Sequence, residues 1–252
     1  MAARRIGEAT LLILDISDLS KKYARRMEYM AKVRDGSEKC EGRGYWTLEV
    51  IGTEVGNPRV IPLYGRLYSH RAPDHQSENA EIERAMRVVS EATEKRGVWV
   101  LDRAGDRGQL FHYLLDRKLQ FIVRLKGDRH LESEGRRESV TTLAEGCPTL
   151  FLEYIVKEEV KQERPLRLEV GYRKVRLPGR PELLTLVVVR GLGSEPLMVL
   201  TSLPVKRSRK SAWHVVAAYL SRWRVEETIR FLKQSYQLED IRLLTYVRLQ
   251  NM

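Results

Sequence analysis

Cysteine is nearly absent from this chain, with two in 252 residues. Cys40 and Cys147 form no metal-ligand spacing and no disulfide framework, so a reducing cytoplasm is the expected compartment. Long apolar runs are missing too. The N-terminal MAARRIGEATLLIL carries basic residues, but its apolar stretch is too short for a signal-peptide core. The longest later run, LLTLVVV from Leu183 to Val189, is too short to cross a bilayer. No membrane partner is expected. The five histidines show no metal-ligand spacing, and there is no internal repeat or low-complexity tract.

What the chain has in excess is positive charge. The formal net charge is +11, the isoelectric point about 9.7, and 31% of the residues are charged. A polyanionic partner follows, with nucleic acid foremost. Basic clusters recur at Arg4 and Arg5, at KKYARR from Lys21 to Arg26, at Arg136 and Arg137, and at KRSRK from Lys206 to Lys210. Any one of them reads equally well as solvated surface; their number and the net charge together point to DNA or RNA.

The element pattern is mixed α/β. A first strand is expected over Thr10 to Leu14, then a hairpin of Tyr45 to Gly52 and Arg59 to Tyr68 about a Gly56-Asn57-Pro58 turn. Ser77 to Lys95 carries apolar residues at helical steps, Ile82, Ala85, Met86, Val89 and Ala92. Val98 to Leu101 reads as a strand, Asp106 as the cap of a helix running to about Arg117, and Gln120 to Leu125 as another strand. From about Gly127 to Pro204 strand-like pieces alternate with polar turns and no helical period stands out, so a β-rich insertion is expected. A final helix starts near Ser211. The expected organisation is a core begun by residues 1–126, interrupted by 127–204 and completed by 205–252. This order of elements is that of a ribonuclease H-like mixed sheet with flanking helices.

Two short apolar runs each lead into an acid, LLIL into Asp15 and VWVL into Asp102. Side-by-side strands would bring both carboxylates to one sheet edge, where active sites gather. In the last helix, Tyr219, Arg222, Glu226 and Lys233 fall within a narrow arc at 100° per residue. A hydroxyl, two cations and one carboxylate would then line one wall of a phosphodiester-cutting site. Competing readings stand beside these. Asp18 could replace Asp15 or cap a turn; Asp106 could replace Asp102 but reads better as a helix cap; Glu227 turns about 100° away from Glu226. Tyr219 could be core packing, as Trp213 and Trp223 are expected to be, and Arg103 could meet phosphate or pair with an acid.

Tyr219-x2-Arg222-x3-Glu226-x6-Lys233 resembles the YREK signature of bacterial DDE transposases of the insertion-sequence-four type, which includes the transposon five transposase. The stretch DRAGDRGQLFHYLLDRKLQFIVRLK, Asp102 to Lys126, resembles that group's second-Asp segment, and TSLPV, Thr201 to Val205, the strand end before its YREK helix. The resemblance implies that Asp15, Asp102 and Glu226 are the catalytic triad holding two Mg²⁺ or Mn²⁺ ions. It implies that Tyr219, Arg222 and Lys233 contact DNA phosphates, and that a homodimer acts on double-stranded transposon ends and target DNA. Leu197 and Met198 stand where hairpin-forming members carry a Trp, so the sequence gives a hairpin intermediate no support. Fourteen residues precede Asp15 and the chain stops at Met252, shorter at both ends than such transposases. A truncated core is therefore one expectation. A catalytically silent DNA-binding regulator is the alternative, and an unrelated ribonuclease H-like nuclease the more distant one.

Overall fold

The computed structural model describes residues 2–24, 26–34, 41–159, 162–206 and 208–251; Arg25, Cys40 and Arg207 lie outside the described residues. In chain order these form β1 (Leu11–Ser20), β2 (Ala31–Arg34), β3 (Glu41–Thr53), β4 (Ile61–Tyr68), α1 (Glu78–Ala92), β5 (Val98–Leu101), α2 (Gly108–Asp116) and β6 (Gln120–Arg124). There follow β7 (His130–Ser133), β8 (Arg136–Ser139), α3 (Val140–Glu145), β9 (Phe151–Glu159), β10 (Gln162–Val175), β11 (Leu184–Arg190) and β12 (Leu197–Thr201). The chain closes with α4 (Arg209–Leu220), α5 (Trp223–Ser235) and α6 (Tyr246–Gln250). By internal contacts it divides into two compact units, Met1–Gly97 with Arg222–Met252, and Val98–Ser221.

In the first unit β3 is the central strand. β1 pairs antiparallel along its whole length, from Leu11 opposite Thr53 to Ser20 opposite Gly44. The other edge of β3 takes β2 against Glu41–Gly44 and β4 against Trp46–Gly52. Gly44 sits where β1, β2 and β3 meet, and a Cβ there would lie 2.1 Å from the Leu19 carbonyl oxygen, so only glycine fits. The first strand thus runs past its expected end at Leu14 to Ser20, because β3 offers ladder partners to all ten residues. Asp15 and Asp18 lie inside it, so neither marks a strand end or caps a turn. α1 starts where Ser77 accepts the Ala80 N–H at 3.1 Å and buries Ile82, Ala85, Met86 and Val89, as their spacing predicts. α5 packs on β1 and β3 with Val225 and Ile229 buried. α6 seats Tyr246 and Leu249 in a core with Leu19, Tyr45 and Leu67.

In the second unit β5 and β6 are parallel, in register from Val98 opposite Gln120 to Leu101 opposite Val123, and joined by α2. β6 then pairs antiparallel with β12, and β12, β11, β10 and β9 continue as antiparallel neighbours. Every residue of β5 and β12 is buried. α4 packs against β5, β6, β10 and β11. β7 and β8 form a separate hairpin turned by Glu134 and Gly135, both at positive φ.

Within the segment expected to be wholly β-rich, α3 is a helix the sequence did not reveal. Ser139 caps it by accepting the Thr142 N–H at 3.1 Å, and six residues are too few to display a period. Among the described residues no helix is long and apolar enough to cross a membrane.

Candidate active site

The helix expected to carry all four signature residues is two helices. α4 ends at Leu220, where the Ser221 N–H and hydroxyl both donate back to the Ala217 carbonyl, at 3.0 and 2.9 Å. Arg222 then caps α5. Tyr219 therefore belongs to α4 in the second unit, 7% exposed, while Arg222, Glu226 and Lys233 belong to α5 and its cap in the first unit. The interruption has no glycine or proline to announce it.

In the first unit α5 lies against β1 and brings three of the candidate residues together. Arg222 Nη1 stands 3.7 Å from Asp15 Oδ2, and its Nη2 donates to the Glu226 carboxylate one helical turn on. One guanidinium thus holds two carboxylates, Asp15 and Arg222 mostly covered and Glu226 half exposed. Asp15 is further fixed by the Ile16 N–H, which donates to its Oδ1 at 3.0 Å. Lys233 goes elsewhere on the same strand, with Nζ 3.7 Å from Asp18 Oδ1 and 3.7 Å from Glu239 Oε1. Asp18 is buried, and its partner is a cation rather than a backbone turn. Glu227 is exposed, as expected; Trp223, expected to be core, is 50% exposed.

Glu49 was not singled out by sequence reasoning. It is the ladder partner of Asp15 on β3, so its side chain leaves the same sheet face. Burial pushes its carboxyl up to about 7. Gly65 on β4 makes room for it, since a Cβ at 65 would lie 2.9 Å from Glu49 Oε2. A carboxylate set among Leu48, Val50 and Ile51 was the available signal.

In the second unit Asp102 leaves the end of β5 as the sequence predicts, and Oδ1 accepts the Ala104 N–H at 2.8 Å to cap a one-turn 3₁₀ helix, Arg103–Gly105. Arg103 pairs with Glu195 at 3.3 Å. Asp106 does not cap α2, whose N-cap is Arg107. It is buried, accepting the Lys126 N–H at 2.7 Å and Arg129 Nε at 2.6 Å. Two strong donors consume this carboxylate. Beside it opens a cleft of about 390 Å³ lined by Lys126, Asp128, Arg129 and Arg137 among others.

The basic clusters divide in the same plain way. Arg4, Arg5, Arg136, Arg137, Lys206 and Lys210 are exposed, as a polyanion contact requires; Lys21 is buried and so leaves that set. Among the described residues no three His, Cys, Asp or Glu side chains are grouped as a metal site.

No curated protein matches the chain. Among solved structures, the fold is similar to a piggyBac transposase seen by cryo-electron microscopy in a synaptic complex with hairpin DNA, with a TM-score of 0.52 and 13% identity. The likeness covers 90% of this chain and 41% of that one, so the chain spans about two-fifths of that transposase's length. It bears out the mixed α/β fold of ribonuclease H-like class. Residues 71–252 match the family described as Transposase DDE domain, a span that takes in Asp102, Tyr219, Arg222, Glu226 and Lys233 and begins after Asp15. With most of its length inside that match, the chain belongs to the DDE transposase family.

Proposed function

We propose that this chain is the catalytic core of a DNA transposase of the insertion-sequence-four, YREK type, which cuts a DNA strand and joins the freed end to target DNA. In this reading Asp15, Asp102 and Glu226 are the catalytic carboxylates, and Tyr219, Arg222 and Lys233 hold DNA phosphates. Residues 127–204 interrupt the catalytic core. A homodimer in the cytoplasm, acting on double-stranded DNA, completes the proposal. The observation that carries it is the shared guanidinium: Arg222 gathers Asp15, from near the start of the chain, and Glu226, from near its end.

Asp15 and Glu226 are hard oxygen donors that already share a positive partner, which is the donor chemistry for Mg²⁺ or Mn²⁺, with Asp102 as the third carboxylate. Two such ions, when bound, supply charge stabilisation at the attacking and leaving oxygens of a phosphodiester. The chain's own residues do the rest. Arg222 offers a planar fork whose natural acceptors are carboxylate and phosphate oxygens alike, and Lys233 offers a point charge. Such contacts hold the strand in register without reading its sequence. In the first reaction water attacks phosphorus and the 3′ oxygen leaves; in the second, that 3′ hydroxyl attacks a target phosphodiester and displaces another 3′ oxygen.

The test is nicking of supercoiled plasmid by the purified chain with Mn²⁺, beside Asp102→Asn and Glu226→Gln. Nicking lost in both variants, with DNA binding retained, is expected. Asn at 102 keeps an oxygen for the Ala104 N–H, so that variant leaves the turn intact. A parent that binds DNA but never cuts would support the silent regulator instead.

A further inference from the structure

Lys21 is among the largest fully buried side chains of the protein, and none of the roles above uses it. It follows directly on β1, and its ammonium donates to two backbone carbonyls far along the chain, those of Leu238 and of Ile241, the latter at 2.8 Å. The Lys21 amide in turn donates to the Arg43 carbonyl at 2.8 Å, fixing the residue to β3. A buried ammonium is costly unless its donors are satisfied, so a lysine here has a specific partner to hold.

That partner is the end of α5. Gln237 takes a left-handed conformation, φ 47°, and the Leu238 N–H reaches back to the Lys233 carbonyl at 3.2 Å, closing the helix as a Schellman turn. The residue whose carbonyl Lys21 grips is therefore the residue whose amide caps Lys233. Lys233 returns to β1 through Asp18 and touches Glu239 in the same turn. The contacts form a closed circuit: Lys21, Leu238, Lys233, Asp18, and back along β1 to Lys21.

We propose that Lys21 is a positioning residue, a buried ammonium that locks the C-terminal end of α5 to the end of β1. By doing so it sets Lys233 against Asp18 and, along the rigid helix, Arg222 and Glu226 against Asp15. The proposal rests on the catalytic reading of those residues. A loosened α5 would misplace its phosphate and carboxylate groups together, and such displacements cost rate more than affinity.

The charged groups facing the ammonium are Glu239 and Asp240, on the turn after α5. They offset part of the effect of burial, which brings the Lys21 pKa down to about 8. The grip therefore weakens as pH rises through about 8, when the cation becomes a neutral amine with poorer donors. Stability moves the opposite way. A lysine whose folded pKa lies below its unfolded value makes the folded state relatively more stable as pH climbs from about 8 toward the ordinary 10.5.

The experiment compares the full chain with Lys21→Met, which keeps an unbranched apolar stem one atom shorter and removes the charge. Nicking by the variant is expected to fall by about 10–100-fold at pH 7 with DNA affinity nearly unchanged. Parental nicking should decline above about pH 8, and that limb should be missing from the variant. Amide exchange at residues 233–241 should quicken in the variant while β3 stays protected. The parent's melting temperature should gain on the variant's between pH 8 and 10. Variant nicking at the parental rate with the parental pH profile, or unchanged exchange at 233–241, would overturn the clamp. A parent that never nicks would sink the catalytic reading instead, and amide exchange alone would then decide on Lys21.

Discussion

Asp15 and Asp106 both accept a backbone N–H and meet an arginine, one in each unit, and they differ in burial and in whether that arginine is shared with a second carboxylate. Asp15 is 20% exposed on a long strand, 3.7 Å from a guanidinium that it shares with Glu226. Asp106 is buried and consumed by a backbone amide at 2.7 Å and Arg129 at 2.6 Å. A 3.7 Å contact to a cation shared with a second, half-exposed carboxylate contributes little to stability. Short, exclusive contacts in the interior contribute through what their loss would leave unpaired. The first arrangement suits a group that works and the second a group that braces.

Alanine substitution should separate the two by the largest margin. Asp106→Ala leaves the Arg129 guanidinium and the Lys126 N–H without their acceptor, at a cost of about 3–5 kcal/mol. For a chain of this size that is a fall in melting temperature of roughly 10 °C. Asp15→Ala should shift melting by less than about 1 kcal/mol and abolish nicking. Equal melting losses in a thermal scan would erase the distinction between working and bracing acids.

Asp15 and Asp102 looked alike in the sequence for a physical reason. LLIL and VWVL marked where β1 and β5 run, because an apolar stretch must be buried whatever follows. Where the strand ends depends on its partner: β1 continues through Asp15 and Asp18 because β3 supplies a ladder as far as Gly44, while β5 stops because Asp102 closes a turn on Ala104. The hairpin, α1, β5 and β6 were legible from local chemistry. The break between α4 and α5 was not, since it falls at Ser221 with no glycine or proline to mark it. Nor was the destination of Asp106, which stands before α2 like a cap and is claimed by residues 20 and 23 positions away. Long-range partners leave no periodicity behind.

A smaller effect tests the neighbourhood of Asp15. The Glu49 pKa of about 7 lies above its ordinary value of 4.5, so the folded state holds that proton more tightly than the unfolded chain. The resulting stability is complete below about pH 4.5 and drains away as pH rises through 7. Glu49→Gln, neutral throughout, should melt with the parent near pH 4.5 and above it at pH 8, by about 1–2 kcal/mol after allowance for partial exposure. A gap that fails to widen between these pH values would place the Glu49 carboxyl in water and weaken the picture of a low-dielectric sheet face around Asp15.

The smallest effect concerns Lys233, which sharpens the same contrast between a group that works and one that braces. If it serves as a phosphate contact, Lys233→Ala should lower the slope of log affinity for DNA against log salt by about one and weaken all sequences alike. Its loss also leaves Asp18 without the 3.7 Å cation beside it, a buried negative charge facing an incoming polyanion. Adding Asp18→Asn to Lys233→Ala should therefore recover part of the affinity without restoring the slope, because neutralising Asp18 removes a repulsion but returns no counterion-releasing contact. Full recovery of the slope in the double variant would mean that Lys233 only balances Asp18, bracing β1 as Arg129 braces Asp106. A slope still short by one would keep Lys233 on the DNA.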